Sequence, residues 1–238
     1  MRLLTLPPVA TVVAGVAVVA AGCGTEIGNP ELNLAALART TQPDDVGIEE
    51  GPGIAVDEAV VTLRDVKFDT SEVCDSGQER ESEIEGPWTV DLVAVDALPV
   101  ALEGRSFCRV RLRLDRADGG ALDDVSVRIA GRRADDVPFV IESRDTPDLD
   151  LRARGADTFT LDADAQELLL AFDVARWLDI DLDGLTPETD GTIRIDDDTN
   201  RDTLDAFDEA LEDSLELFED LEGDRSIDDD DAALATAG

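Results

Sequence analysis

Histidine and tyrosine are absent from this sequence, and lysine occurs once, at Lys67. Without an imidazole, the chain has no ordinary acid–base relay near neutral pH and no histidine ligand for zinc. None of the three cysteines has a histidine to activate it, so none reads as a catalytic nucleophile. Aromatic residues make up only 4%, which leaves the core to be built mainly from aliphatic side chains. Positive charge is scarce: 20 basic groups face 57 acidic ones, for a net charge of −37. A field of that sign repels phosphate backbones and makes nucleic acid and bare anionic lipid poor partners. No glycine-rich phosphate loop and no nucleophile elbow occurs.

What is present is a globular chain. Its 238 residues are 43% hydrophobic, enough to bury a core, and both ends look unsuited to one, which leaves one main domain. Asp outnumbers Glu by 38 to 19. Three readings fit that acidity. Dense carboxylates hold water and counter-ions in salty surroundings, bind calcium, or meet a basic protein partner. Composition alone does not separate them.

The N-terminus has the plan of an export signal. Arg2 supplies a positive start, and Val9 to Ala21 is apolar or small except for Thr11. That run falls short of the ~20 residues needed to span a bilayer. It ends at Ala20-Ala21-Gly22-Cys23, which resembles the bacterial lipobox, with Ala20 where Leu is usual. Cleavage before Cys23 with lipid on its sulfur is the expectation; ordinary cleavage nearby, leaving a thiol, is the alternative. Acyl chains contribute about 0.8 kcal/mol per buried methylene, so several make a permanent anchor. Gly24, where Asp would retain a lipoprotein at the inner membrane, points to the outer membrane. Cys74 and Cys108 remain, and an even pair in an oxidising compartment points to a disulfide. Two unpaired thiols are the alternative.

Residues 23–53 are rich in Pro, Gly and acid and read as a flexible tether, in which the apolar patch Leu32–Leu37 forms a helical turn or docks on the domain. From 54 to 198, hydrophobic residues recur at period two, the mark of half-buried strands. Val61 and Leu63 share one parity and Val66 and Phe68 the other, so a bulge near Arg64–Asp65 is expected. In the clearest strand, Cys108, Val110, Leu112 and Leu114 point one way, and Arg109, Arg111 and Arg113 the other. The three arginines either grip an anionic ligand or face carboxylates on neighbouring strands. Short strands follow around Val125–Ile129, Phe139–Ile141, Leu149–Leu151, Phe159–Leu161, Leu168–Phe172 and Ile193–Ile195. With no helical crossover between them, the fold class is mainly β, an antiparallel β-sandwich. Residues 199–222 form an acidic amphipathic helix with the stripe Leu204, Phe207, Leu211, Leu215, Phe218 and Leu221, capped by Thr199 or Asn200. Glu216, Glu219 and Asp220 oppose its macrodipole. Residues 223–238, with four consecutive aspartates, read as a disordered acidic tail.

Three strand motifs resemble those of a family of domains of unknown function, numbered four-three-eight-two, common in bacterial envelope lipoproteins. Phe107-Cys108-Arg109-Val110-Arg111-Leu112 is similar to its aromatic-x-x-Ile-Arg-Leu strand after a glycine, here Gly104 displaced by one. Pro138–Ser143 is similar to Pro-x-x-Val-Pro-Ser, and Leu170–Val174 to a Leu-Asp-Phe-Asp strand in which Ala171 replaces the first Asp. With Trp88 and the following Val90-Asp91-Leu92, the likeness covers roughly residues 56 to 180. It implies an envelope β-sandwich and carries no assigned activity.

One local pattern has metal-site spacing. Asp179, Asp181 and Asp183 alternate before Gly184, and Asp190 stands eleven residues after Asp179. Oxygens at positions 1, 3, 5 and 12 surround Ca²⁺ in a calcium loop. Against this, Asp190 replaces the usual bidentate Glu, and with 38 aspartates in 238 residues such a triplet is expected about once by chance. The same residues also read as an amphipathic edge strand with Ile180 and Leu182 inward. With 57 acids, paired carboxylates for glycoside hydrolysis are always available and discriminate nothing. Asp173, beside Phe172, is the acid to examine for burial. The reading is a lipid-anchored, non-enzymatic binding or assembly module for an unknown protein or glycan. A calcium-binding adhesion or surface domain is the alternative, and a carboxylate-dependent glycoside hydrolase a more distant one.

Overall fold

The computed structural model describes residues 31–39, 54–70, 81–95, 97–102, 106–155, 157–162, 165, 167–227 and 232–237. Cys23 and Cys74 lie outside them. The chain is mainly β. In order run β1 (Glu31–Arg39), β2 (Ile54–Thr70), β3 (Glu81–Asp91), β4 (Ala97–Ala101), β5 (Ser106–Leu114), β6 (Val127–Arg133), β7 (Pro138–Ser143) and β8 (Asp148–Ala153). Then come β9 (Phe159–Thr160), β10 (Glu167–Asp173), a single helical turn α1 (Val174–Trp177), β11 (Ile193–Ile195), helix α2 (Arg201–Glu212), β12 (Leu215–Asp220) and β13 (Ala235–Ala237).

Hydrogen bonding joins these strands into one sheet in the order β11-β7-β6-β2-β5-β8-β13-β12-β10-β1-β4, with β3 also on β2 and β9 on β5. β2 is the branch point. Along one side it pairs first with β6 and then with β5, and along the other with β3. Its register shifts at Val56/Glu58, Leu63/Asp65 and Asp69/Thr70, the second of them where the change of parity predicts a bulge. Each extra residue bends and twists the strand, and the sheet curls. The Leu92 N–H donates to the Ala59 carbonyl of β2 (2.8 Å), and the Ala38 N–H of β1 donates to the Leu92 carbonyl (3.0 Å), so the β1 end returns to the β2 end.

The expectation of a purely antiparallel sandwich is corrected in one respect. β1 runs parallel to β10 and β11 parallel to β7, which makes the sheet mixed. β10 shows why. A strand covered on both faces reads as a continuous apolar run, and Leu168-Leu169-Leu170-Ala171-Phe172 is buried throughout. Leu168, Leu170 and Phe172 join the main core, while Leu169 and Ala171 join a smaller cluster with Ala35, Leu37, Phe218 and Ala233 on the other face.

The few aromatic rings are concentrated. Phe68, Phe107 and Phe159 stack in series with centroids 5.6 and 5.7 Å apart. Phe172, Trp177 and Phe207 form a second series at 5.6 and 5.8 Å, both contacts edge-on. Such pairs contribute about 0.5–1.5 kcal/mol each beyond area burial. Gly131 of β6 leaves room for Phe139 of β7, which stands apart from both series, since a Cβ there would run into the Ala55 carbonyl and the Phe139 ring.

Three expected boundaries move. The tether expected over 23–53 contains β1, whose Leu32, Leu34 and Ala36 lie in the main core. The helix expected over 199–222 ends at Glu212. Leu204, Phe207 and Leu211 are buried as a helical stripe, but Leu215 and Leu217 enter the core at period two, in β12, between β10 and β13. Acid beyond Asp213 does not suit a helix C-terminus. The Ser214 hydroxyl donates to the Leu211 carbonyl (2.8 Å) and accepts from Trp177 Nε1, closing the last turn. Asn200 precedes α2 in the left-handed region (φ 57°) without a side-chain cap, its amide nitrogen donating instead to the Arg194 carbonyl (2.6 Å). The tail expected to be disordered over 223–238 carries β13, seated between β8 and β12 with Ala235 buried.

That seating is testable. Ala235→Asp, which buries an unpaired charge between two strands, is expected to cost about 3–5 kcal/mol in urea unfolding. An exposed tail would tolerate the change within about 0.5 kcal/mol.

Candidate functional site: a charged face of the sheet

Antiparallel register places opposite residues on one face. Arg113 of β5 therefore stands between Asp65 of β2 and Asp148 of β8, and Arg111 between Lys67 and Asp150. Arg109 stands between Asp69 and Arg152. Beyond β2, Glu85 and Glu83 of β3 lie opposite Asp65 and Lys67. The outer face of four adjacent strands is thus a lattice of charge in which five cations of the chain's 20 sit together.

Asp69 is its hub. Its side chain is 2% exposed, against 36% for Arg109 and 39% for Arg111. Oδ2 accepts from Nε of Arg109 (2.7 Å), and Oδ1 accepts from Nη2 of Arg111 (2.8 Å). Arg109 Nε also lies 3.6 Å from Asp150 Oδ1, and Arg113 Nε 3.2 Å from Asp148 Oδ1. Arg152 Nη2 is 3.3 Å from Asp150 Oδ2, and Lys67 Nζ 3.1 Å from Glu83 Oε1. Of the two readings of the arginine ladder, the structure shows the cross-strand one. The guanidiniums are held edge-on by carboxylates, with part of each still open to solvent. Asp69 escapes a reading of the sequence because only its register, opposite Arg109, reveals its partners; its outward parity beside the buried Phe68 was the available signal.

A bulge borders this lattice. Asp69 pairs with Arg109, yet Thr70 pairs with Phe107, so Cys108 is the extra residue. This corrects the expected parity. Phe107 enters the core, and Cys108, though buried, lies outside it, its sulfur 3.5 and 3.7 Å from the carbonyl oxygens of Asp69 and Thr70.

The four aspartates at calcium-loop spacing have separate employments. Asp179 is exposed, and Asp181 Oδ1 accepts from the Gly184 N–H (3.0 Å) in a local turn. The loop encloses a cation of its own, because Arg133 Nη1 donates to the Leu182 carbonyl (2.9 Å) and lies 3.4 Å from that of Leu185. Arg133 Nε is 3.8 Å from Asp183 Oδ1. Asp135 holds the same guanidinium at 2.8 and 2.7 Å. That hydrogen bond from Arg133 draws the Asp135 carboxyl down to about 2 and raises the guanidinium in turn. Asp190 accepts from the Thr192 N–H (2.9 Å) and from Arg194 Nη2 (2.9 Å), and these bonds lower its pKa. Leu182 is buried as expected, but in a loop and not in an edge strand. Among the described residues, no three acidic or thiol side chains gather so as to hold a metal ion. Asp173 caps α1, its Oδ1 accepting from the Arg176 N–H (3.0 Å).

Asp69→Ala leaves two facing guanidiniums without their shared counter-charge. Because both arginines reach solvent, the expected loss is about 1–3 kcal/mol, below that of a fully buried pair. Arg113→Ala, at the exposed end of the ladder, is expected to stay within about 0.5 kcal/mol. Urea unfolding of both variants checks the ranking.

No family model, curated protein or solved structure matches this chain, so its resemblance to the envelope family rests on the three strand motifs alone.

Proposed function

We propose that this chain is an exported, lipid-anchored envelope protein that works by binding or assembly, with the charged face of β2, β5 and β8 as its contact surface. The observation that carries the binding reading is the lattice itself. In a chain of net charge −37, an approaching acidic or mixed-charge partner meets repulsion over most of the surface. The lattice gathers five cations interspersed with carboxylates, so a protein or glycan bearing both donors and acceptors finds complementary groups there. The absence of histidine and the commitment of Asp173, Asp181 and Asp190 to local hydrogen bonds favour binding over catalysis.

Arg2, the apolar run Val9–Ala21 and the small residues before Cys23 support the anchor, and Gly24 supports the outer membrane. β1 begins at Glu31, eight residues beyond Cys23. At up to ~3.5 Å per residue, the folded body stands within about 28 Å of the lipid, a shorter maximum reach than a tether running to residue 53 would give. A Cys74–Cys108 disulfide belongs to the same reading. Cys74 follows Thr70 by four residues, a reach of at most ~14 Å, and the Thr70 carbonyl lies beside Cys108 Sγ. Closing that loop is worth on the order of 3–4 kcal/mol of chain entropy.

Metabolic labelling with a fatty acid is expected to mark the wild type and not Cys23→Ser; an unmarked wild type removes the anchor. A photo-crosslinker at Arg113 is expected to give a discrete product in intact envelopes, while one at Asp202 on α2 gives none. Equal products at both positions end the lattice reading. Cys74 and Cys108 are expected to resist alkylation until reduced, and immediate alkylation of both removes the disulfide.

A further inference from the structure

Away from the charged lattice, α2 packs on α1, β11 and β7. Asp208 lies on this helix, facing the end of β7, and its Oδ1 is buried with no hydrogen-bond partner among the described residues. The arginines on the elements packed here pair with other carboxylates. Arg144, after β7, lies 3.7 Å from Asp124 and 3.5 Å from Asp197. Arg201, on α2, lies 3.8 Å from Asp197 and 4.0 Å from Asp205. From α1, Arg176 is bound to Asp213, and from β11, Arg194 to Glu188 and Asp190. On β7, Glu142 is held by Arg128. The charges that bear on Asp208 are acidic: Asp145 after β7, Asp205 on its own helix and Asp197 in the turn after β11, the last two also approached by Arg201. Further along that turn and helix stand Asp196, Asp198, Glu209 and Glu212. The Ser143 hydroxyl favours the charged form.

We propose that α2 is a pH-operated latch: a protonated Asp208 holds the helix against the end of β7, and its ionisation loosens it. A neutral carboxyl can lie against Ser143 without meeting its neighbours' charge. A carboxylate there leaves a bare buried acceptor among like charges. Burial, then Asp145, Asp205 and Asp197, push the group up to about 6. Its native pKa exceeds the unfolded value, so the docked helix is tightest in acid, weakens between about pH 4 and about pH 6, and changes no further above. A loosened α2 uncovers Leu204, Phe207, Leu211 and the Trp177 against which Phe207 packs.

Hydrogen exchange of the α2 amides in the full chain, corrected for intrinsic rates, tests this. Opening in the wild type is expected to rise on the order of tenfold or more between about pH 4 and about pH 7. Asp208→Asn, neutral throughout, is expected to be flat, and Asp205→Asn to keep most of the slope. A wild-type slope retained in Asp208→Asn overturns the latch. Should Asp208→Asn not fold, the carboxyl carbon of Asp208 in the wild type decides by NMR: a midpoint near 6 supports the latch, and one below about 5 overturns it.

Discussion

Burying a carboxylate in a chain that has few cations is the constraint on which much of this structure depends. An ionised acid loses its hydration on burial and must recover that energy from a counter-charge or from several hydrogen bonds. With 20 basic groups for 57 acids, a cation is not available to every acid, and the fold allots them unevenly. Asp69 receives two arginines. Glu167, buried at the start of β10, receives one, Arg225, whose Nε donates to Oε2 at 3.0 Å while Oε1 has no partner among the described residues. Asp220, its register partner on β12, receives no guanidinium among the described residues and is held by the backbone N–H groups of Glu222, Gly223 and Arg225 at 2.9, 2.6 and 2.8 Å. Asp208 has the Ser143 hydroxyl to favour its charged form, and its burial, followed by Asp145, Asp205 and Asp197, raises its affinity for a proton.

These allotments also hold the chain's distant parts together. Arg225 adopts a positive φ of 61°, and from there its Nη1 donates to the Val95 carbonyl (3.0 Å) while Nε meets Glu167. One side chain thus ties the segment after β12 to the turn before β4 and to β10. Arg39, at the end of β1, pairs with Glu216 of β12 and lies over the Phe218 ring at 5.3 Å. The smaller apolar cluster on that side of β1, β10 and β12 is closed over by the same segment, through Ile227 and Ala233. Ion pairs that would be nearly neutral on an exposed surface gain weight here because they sit at the rim of buried apolar groups.

Two bulges between β2 and β5 govern where the chemistry falls. The shift at Leu63/Asp65 swaps the face of the following residues, so that Val66 and Phe68 enter the core while Asp65, Lys67 and Asp69 join the outer lattice. The shift at Asp69/Thr70 brings Phe107 inward between Phe68 and Phe159 and sets Cys108 beside the strand's last carbonyls. Charge lattice, aromatic series and cysteine position are therefore consequences of two extra residues, Arg64 in β2 and Cys108 in β5.

Period-two patterning was enough to read most strands between Val61 and Ile195, the Leu63/Asp65 bulge of β2 and the outward arginines of β5, because alternation is a local property of the chain. The stripe of Leu204, Phe207 and Leu211 was legible as a helix for the same reason. Charge balance, the absence of histidine and the small residues before Cys23 are likewise properties of composition and order alone. The tertiary structure decided what depends on register between distant segments. It placed Leu32–Leu37 and Ala235–Ala237 in the sheet, turned Leu215–Asp220 from helix to strand, and chose Phe107 over Cys108 for the core. It also chose which acids meet arginine. A short apolar run has no preferred partner until the strands beside it exist, and a carboxylate's energy is set by neighbours that the chain brings near only on folding.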